Sequence, residues 1–407
     1  MSVDNELGPL LRRWGLSAQQ LPAATAGPDE LRPFVAAILG EALPFIDSAA
    51  PRNSTAQELW KSRGARSSPD SAAKIEVLER RVSAKALRAV AAAYGIKTTG
   101  AEEAEEETWA VRRSVHEDAA RPGTASWAEF ERAFRLDHAK TEMAFTPNVV
   151  GAHEAQRWDC AGIEAVEEAG QAWDRFSLVV EEMRHRVGRP VLKDRTFPVL
   201  QLSCAAKEGA AEEFVIVSIP VPDFATSEKA KLSKEKGALI AYYVSVERIR
   251  KLNDGKIEWL LGTASDAAGV LPLWIQDKAL LGIVWKDVPL FLGWIARERG
   301  KGKEKAGAGA EAGAEATTNN AAAAPVESDA DAKKGDGEEK TPRTGAGTAI
   351  GEAAGPTVIV SDGDAAGETE TVPPNEPTTP EVTTGVETGE AGETAAAKEP
   401  KGKAPAG

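Results

Sequence analysis

The sequence predicts an α+β fold in which a curved antiparallel sheet wraps around one long C-terminal helix. Three observations support this prediction. Near residue 107 the hydrophobic period changes from about 3.6 residues, typical of helices, to about 2, typical of strands. Turn-sized gaps then separate six strand-like segments, which favours antiparallel pairing. The aromatic-containing part ends with a helical stretch, 272–299, that is apolar over most of its circumference.

We expect the first part of the chain, residues 1–100, to be an N-terminal helical region. Its apolar residues recur at helical spacing. The predicted apolar faces fall at 7–14, at 31–39 after Pro28, at 59–60 and at 75–87. The acidic run 101–107 is then expected to be a solvated connector.

Six segments alternate apolar and polar residues and are predicted to be strands. They are 108–116, 176–187, 197–204, 214–221, 239–249 and 256–264. The tripeptide Asn253-Asp254-Gly255 predicts a tight turn between the last two. A short helix is expected early among them, at 126–134, where Ser126 and Glu129 have the spacing of a capping box.

The sequence composition places the end of the folded domain near residue 300. All ten Trp, all ten Phe and all three Tyr precede residue 295, and the remainder is rich in Gly, Ala, Glu, Thr and Pro. Such a segment cannot bury enough apolar surface to offset its chain entropy. We therefore expect a folded domain over 101–300 and a disordered, acidic, low-complexity tail over 301–407.

Charge and cysteine content exclude several classes of function. The tail holds 20 acidic and 10 basic residues, so it carries -10 of the net charge of -14. A near-neutral folded part argues against nucleic-acid binding, which needs clustered Lys and Arg. Cys160 and Cys204 lack metal-ligand spacing, and we expect no metal and no cofactor. The N-terminus lacks a signal-like apolar stretch and no transmembrane segment is expected, which predicts a cytoplasmic or nucleocytoplasmic protein.

Several sequence blocks, in order, resemble the START-like, or helix-grip, lipid-transfer domains. The resemblance is to one fungal family of unknown function, and it covers roughly residues 85–299. The blocks are WAVRRSVHED at 109–118, GTASWAEFE at 123–131, Asp194-Arg195-Thr196-Phe197, YVSVERI at 243–249, Trp259-Leu260-Leu261, the segment 263–280 with Asp266, Gly269, Pro272 and Trp274, and VPLFLGWIARER at 288–299.

The resemblance implies non-enzymatic binding, and possible transfer, of a lipid or other hydrophobic ligand in a pocket between the sheet and the final helix. Gly282 and Pro289 would be weak points about which that helix opens. The alternative is that the helix fills the core of a solid domain, which would then act as a scaffold. Transient membrane contact is expected through Trp285, Phe291 and Trp294 of the helix.

Seven residues are candidates for the ligand site. In the alternation from Trp109 to Val115, Arg113 lies on an apolar face, whereas Arg112 lies on the opposite face and is expected to be solvated. A buried Arg113 needs a partner, either a ligand phosphate or carboxylate or an internal carboxylate such as Glu181, Glu182 or Glu258. Tyr242 could offer its hydroxyl to a ligand or be an ordinary core residue. The other candidates are Trp259, Trp274, Leu281, Trp285 and Phe291.

An enzymatic function is not expected. His116 precedes Glu117 and Asp118, a pairing that acid–base catalysis uses, but a position near a strand end is equally consistent with an exposed histidine. The sequence contains no nucleophile elbow, zinc-protease motif, phosphate-binding loop or dinucleotide fingerprint.

One segment of the tail, 357–364, differs from its surroundings because a β-branched run precedes acidic residues. It resembles a SUMO-interacting motif, which would add a strand to the sheet edge of a protein partner. The residues expected to bind that partner are Val358, Ile359, Val360, Ser361 and Asp362. Chance occurrence in a tail rich in Val and Thr is the other interpretation.

Overall fold

The computed structural model describes residues 8–50, 59–96, 105–187, 192–209, 211–269 and 272–301, and these residues build an 11-stranded sheet with helices on both faces. The strands are β1 (Lys61–Ser68), β2 (Ser71–Val82), β3 (Glu107–His116), β4 (Val149–Arg157), β5 (Val166–Glu168), β6 (Gln171–His185), β7 (Asp194–Ala206), β8 (Glu213–Pro220), β9 (Ala238–Ile240), β10 (Tyr242–Lys251) and β11 (Ile257–Asp266).

The helices flank this sheet. They are α1 (Pro28–Ala49), α2 (Ala84–Ala93), α3 (Trp127–Phe130), α4 (His138–Phe145), α5 (Leu273–Ile283) and α6 (287–301), with a π-helical turn over Glu131–Leu136. The predicted capping box is present before α3, where the Ser126 backbone N–H donates to Glu129 Oε2 over 2.8 Å.

The strand order is β1-β2-β3-β11-β10-β8-β7-β6-β4, with β5 paired to β6 and β9 to β7. Only the β7–β9 pair is parallel among the described strands. The six predicted strand segments are all confirmed, as is the α+β architecture. The turn between β10 and β11 is also confirmed, since Gly255 has φ +80° and its N–H donates to the Leu252 carbonyl.

The helices expected over 59–82 are wrong. Ile75 and Val77 are fully buried two residues apart in β2, which pairs with β3 from Ile75↔Ser114 to Val82↔Glu107. The spacing of the apolar residues in this segment fits the helical period of about 3.6 residues in part and the strand period of 2 in part. Pairing with the long strand β3 outweighs the local preference for a helix. Residues 8–16 form turns rather than a helix, whereas α1 confirms the helix predicted after Pro28.

The first face of the sheet packs against α1. Trp109 and Val111 of β3 point to it, and the Phe45 ring of α1 lies 4.4 Å from that of Trp109. At the end of α1, Asp47 forms an ion pair with the buried Arg248 of β10. The N-terminal helix is therefore a structural cover of this face.

The second face packs against the C-terminal helix. Trp259 of β11 and Phe291 of α6 are fully buried there, with ring centroids 5.7 Å apart. Phe130, Phe134 and Phe145, from the insertion between β3 and β4, complete the aromatic cluster. The sequence blocks around 194–197 and 263–280 are in contact with each other, because the Arg195 guanidinium donates to the Ala267 and Ala268 carbonyls.

The C-terminal helix has a break between its two segments. A 3-10 turn at Val284–Lys286, which begins two residues after Gly282, separates α5 from α6. Pro289 lies in the first turn of α6, where its missing N–H costs no hydrogen bond. The stretch 273–301 is, within the described residues, the one helix long and apolar enough to cross a membrane, yet α6 buries Val288, Phe291 and Leu292 completely against the sheet face.

Phe291→Ala is expected to destabilise the fold by about 3–5 kcal/mol, because it removes a fully buried ring that contacts four other aromatic rings of the cluster. Urea unfolding of the full chain, followed by circular dichroism, measures this loss. Trp274→Ala is the control, since 69% of Trp274 is exposed and little change is expected. Equal losses in the two variants would contradict the assignment of α6 as the main cover of this face.

Candidate functional site

A small buried cavity lies between the second face of the sheet and the C-terminal helix. Its volume is about 30 Å³, which is room for about one water molecule. Its lining residues come from seven elements: Arg112, Phe134, His138, Glu142, Phe145, Ile216, Ser218, Tyr243, Ser245, Glu247, Leu261 and Asp287. Ligand pockets usually measure about 300–1,000 Å³, so the space between sheet and helix is closed in this conformation.

Arg112 of β3 is the central residue of this cavity and is only 2% exposed. Its Nη2 donates to Glu247 Oε1 over 3.1 Å, and its Nε lies 3.4 Å from Asp287 Oδ2. The guanidinium carbon lies 4.0 Å from the ring centroid of Trp259, whose Nε1 donates to Glu247 Oε1 over 2.6 Å. One cation is thus held between two carboxylates and an aromatic face.

Several buried polar atoms around the cavity make no hydrogen bond to any other described residue. They are Arg112 Nη1, Glu142 Oε1 and Asp287 Oδ1. A buried polar atom without a partner costs about 1–3 kcal/mol, and more when it is charged. Three such atoms on one cavity therefore indicate a place where a polar group of a ligand would be stabilised.

Burial also changes the protonation of these groups. Loss of solvation, together with the charges of Asp287, Glu181 and Glu247, raises the pKa of Glu142 to about 8. Loss of solvation raises the pKa of Asp287 to about 7, partly opposed by Arg112. The same cause lowers the pKa of His138 to about 4, so this histidine is neutral at pH 7. Titratable groups perturbed in this way are often functional.

The expected environments of Arg112 and Arg113 are reversed in the structure. Arg113 points to the α1 side of the sheet, where its side chain is 31% exposed and its Nε donates to Glu258 Oε1 over 2.7 Å. Its Nη1 donates to Glu76 Oε2 over 2.9 Å. Arg112, expected to be solvated, is the buried one. Of the partners considered for Arg113, the internal carboxylate Glu258 is the one observed.

The remaining candidates divide between the interior and the surface. Trp259 and Phe291 lie in the aromatic cluster beside the cavity, whereas Trp285 and Leu281 are partly buried against a small apolar cluster that includes Leu261 and Leu280. Tyr242 is partly buried and belongs to the opposite face from Tyr243, which lines the cavity. Because Phe291 is fully buried, the expectation that it contacts a membrane in this conformation is wrong.

Trp274 is exposed and, with Leu281, lines an open cleft of about 880 Å³ between α5 and the β1–β2 hairpin. A second open cleft, of about 910 Å³, lies on the α1 side and includes Arg113, Arg250 and Glu258. In that cleft Arg250 Nε also donates to Glu258 Oε2, so the charged groups already pair with one another. The tail residues 358–362, predicted to bind a partner, lie outside the described residues.

His116 is buried rather than exposed. Its Nε2 lies 2.8 Å from Ser114 Oγ, and burial beside Arg112 lowers its pKa to about 4. Cys160 and Cys204 are free thiols, and burial raises the pKa of both. The described part of the chain contains no group of three or more metal-ligating side chains that could hold an ion.

Sequence reasoning missed the acidic side of the cavity. Glu142 comes from α4, Glu247 from β10 and Asp287 from the start of α6, so no local motif joins them. A signal was present for one of them. Alternate positions of β10 are occupied by Tyr243, Ser245 and Glu247, which therefore share one face. Polar side chains recur on that face, opposite Val244 and Val246.

The free energy of unfolding is expected to fall as the pH rises from about 6.5 to 8. In this window the folded protein retains protons on Glu142, Glu181 and Asp287, whereas the unfolded chain has already lost them. The histidines with lowered pKa oppose this trend only at the lower end of the window, because imidazoles of the unfolded chain, with a pKa near 6.5, have lost most of their protons by about pH 7.5. Glu142→Gln should flatten the decline and raise the unfolding midpoint at pH 8.

Urea unfolding of the full chain at several pH values across this window measures the effect. Glu228→Gln serves as the control, because Glu228 is exposed and should leave the slope unchanged. If Glu142→Gln instead lowers stability at pH 8 and keeps the wild-type slope, Glu142 is not protonated in the folded state.

Comparison with known proteins finds solved structures of low identity. Human STARD10 has 11% identity and a TM-score of 0.41, over 65% of this chain and 82% of that chain. Human StAR-related lipid transfer protein 5 has 12% identity and a TM-score of 0.37, over 65% and 96%. The lipid transfer and protein localization domain of human StarD13 (DLC2) has 15% identity and a TM-score of 0.33, over 63% and 93%.

Likenesses with TM-scores below 0.5 say nothing about what this chain binds. A search of curated proteins finds no match. Residues 109–295 match a family model. This region begins at the third residue of β3 and ends within α6. Over this region the expected resemblance to a family of unknown function is confirmed, and the chain is similar to the family described as "Protein of unknown function (DUF3074)".

Proposed function

We propose that this protein binds a hydrophobic ligand, a lipid, between its sheet and its C-terminal helix and does not alter it chemically. The observation that carries the proposal is the set of buried polar atoms without a hydrogen-bond partner, on Arg112, Glu142 and Asp287, at a cavity with apolar walls. A ligand placed there would have its polar end at these atoms. Its apolar part would lie among the surrounding rings.

The walls around the polar atoms suit an alkyl chain. Phe134 and Phe145 line one side of the cavity, and Ile216 and Leu261 of the sheet line the other. Each methylene removed from water contributes about 0.8 kcal/mol. An enclosed chain therefore supplies affinity, and the polar atoms select the head group.

Entry of a ligand requires the C-terminal helix to move, and α5 is the segment suited to this. Of its 11 residues, only Gln276, Leu280 and Ile283 are buried. The break at Val284–Lys286 lets α5 shift while α6 remains on the aromatic cluster.

Ligand exchange at a membrane surface would use the outer side of α5. Trp274 lies there, 69% exposed, and indole rings are favoured at membrane interfaces. The free cysteines are consistent with a reducing compartment such as the cytoplasm. The tail segment 357–364 would provide a docking arm for a protein partner, in addition to ligand binding by the folded part.

Ligand binding is tested by native mass spectrometry of the full chain, purified without detergent and then incubated with vesicles of mixed lipids. A one-to-one adduct is expected for the wild type and for Ser245→Ala. The adduct should be lost in Ser245→Ile, because Ser245 lines the cavity and the larger side chain fills it. Thermal unfolding of both variants establishes that they are folded.

Arg112→Leu and Arg113→Leu form a second matched pair, since the two residues are adjacent in β3 and face opposite sides of the sheet. The amount of adduct should change at least tenfold in Arg112→Leu, because the cavity loses its guanidinium, and it should stay the same in Arg113→Leu. Absence of an adduct with every vesicle mixture, or equal adducts in Ser245→Ile and wild type, would overturn the proposal.

A further inference from the structure

The charges around the cavity are unequal. Three carboxyl groups line it, those of Glu142, Glu247 and Asp287, against the one guanidinium of Arg112. Glu181 of β6 adds a fourth carboxyl nearby, and its charge contributes to raising the pKa of Glu142. His138 also lines the cavity but is neutral at pH 7. Carboxyl groups therefore outnumber cationic groups at this site.

Most of the Arg112 guanidinium is already committed, and only its Nη1 has no hydrogen-bond acceptor among the described residues. Its Nη2 binds Glu247 Oε1, its Nε faces Asp287 Oδ2, and Trp259 covers its plane. Two carboxylate oxygens remain without a hydrogen-bond donor among the described residues, Glu142 Oε1 and Asp287 Oδ1. Both residues are at least nine-tenths buried. The unmet demand at the cavity is therefore for hydrogen-bond donors to two carboxyl oxygens, against one acceptor for Arg112 Nη1.

The chemistry of the head group follows from this balance. A phosphate or carboxylate would place another negative charge beside three carboxyls in a poorly solvated space. A hydroxyl would satisfy one oxygen and leave the charges unbalanced. A protonated primary amine supplies three donors and one positive charge, and it has no acceptor to bring near the carboxylates.

We propose that the ligand is an amphiphile whose polar end is a protonated primary amine, held by the Glu142 and Asp287 carboxylates beside the Arg112–Glu247 pair. This inference rests on the proposed binding of a hydrophobic ligand at the same cavity. The amine would replace protons that the cavity carboxyls hold in the ligand-free protein, so binding would release protons to the solvent.

The pH dependence of binding follows from the groups that face the cavity. Its affinity for an amine should rise from about pH 6.5 to 8 as the carboxyls become easier to ionise, while the amine, with a pKa near that of lysine at about 10.4, stays charged. The titratable and charged groups are His138 and Glu142 on α4, Arg112 and His116 on β3, Tyr243 and Glu247 on β10, Glu181 on β6 and Asp287 on α6. Of these, the carboxyls of Glu142, Glu181 and Asp287 titrate within the window.

Isothermal titration calorimetry of the full chain with a series of twelve-carbon amphiphiles, each below its aggregation concentration, tests the inference. The series is dodecylamine, dodecyltrimethylammonium, dodecanol, dodecanoate and dodecyl phosphate. Dodecylamine should bind at least tenfold more tightly than each of the others. Titrations in buffers of different ionisation enthalpy should show proton release for dodecylamine alone. The quaternary compound has the same charge but no N–H, so it controls for attraction to the acidic tail.

Glu142→Gln and Asp287→Asn should each reduce the preference for dodecylamine over dodecanol to less than threefold, and Glu228→Gln should leave that preference unchanged. Tightest binding of dodecanoate or dodecyl phosphate would overturn the amine assignment and leave the proposed binding function standing. Equal binding of the primary and quaternary compounds, without proton release, would overturn it as well. Binding of none of the five would overturn both proposals.

Discussion

Burial of both faces of the sheet is the constraint on which the rest of this structure depends. All 13 residues of β7 and all eight of β8 are buried, which is unusual for an antiparallel sheet and requires a cover on each side. The α1 helix covers one face and the C-terminal helix the other. Since side chains alternate between faces, neighbours in one strand experience different environments. The adjacent Arg112 and Arg113 therefore have unrelated partners and different degrees of exposure.

The polar cluster beneath the C-terminal helix costs stability that an apolar core would not lose. Desolvation of charges is expensive, and replacement of buried ion pairs by apolar residues is often neutral or stabilising. The surrounding core does not depend on this cluster for its stability. Close packing is already provided by the rings of Trp259, Phe134 and Phe291, whose centroids lie 4.8–5.7 Å apart. A costly cluster inside a sufficient apolar core is more readily explained by binding than by folding.

The sequence predicted those elements whose pattern is local. Apolar and polar residues alternate clearly in the later strands, which are bounded by turns, so the positions of these strands could be predicted. The position of the final helix and the location of Trp259 and Phe291 near the interior could be predicted as well. β2 was not, because the spacing of Ile75, Leu78 and Val82 fits a helix until pairing with β3 decides the outcome. The face of each strand was also undetermined, since both faces are apolar and only the helices that cover them distinguish Arg112 from Arg113.

The break in the C-terminal helix lies between α5, the segment proposed to move, and Asp287, a charged residue that lines the cavity. Asp287, the first residue after the 3-10 turn, is one of the two carboxylates that pair with Arg112. On the other side of the turn, α5 reaches the sheet through Leu280 beside Val77 and Leu261. A shift of α5 that admits a ligand therefore acts directly on the turn that positions Asp287. In the proposed binding mode, loosening of the Asp287–Arg112 pair would free a carboxylate as the ligand enters, and opening and head-group recognition would then involve the same residue.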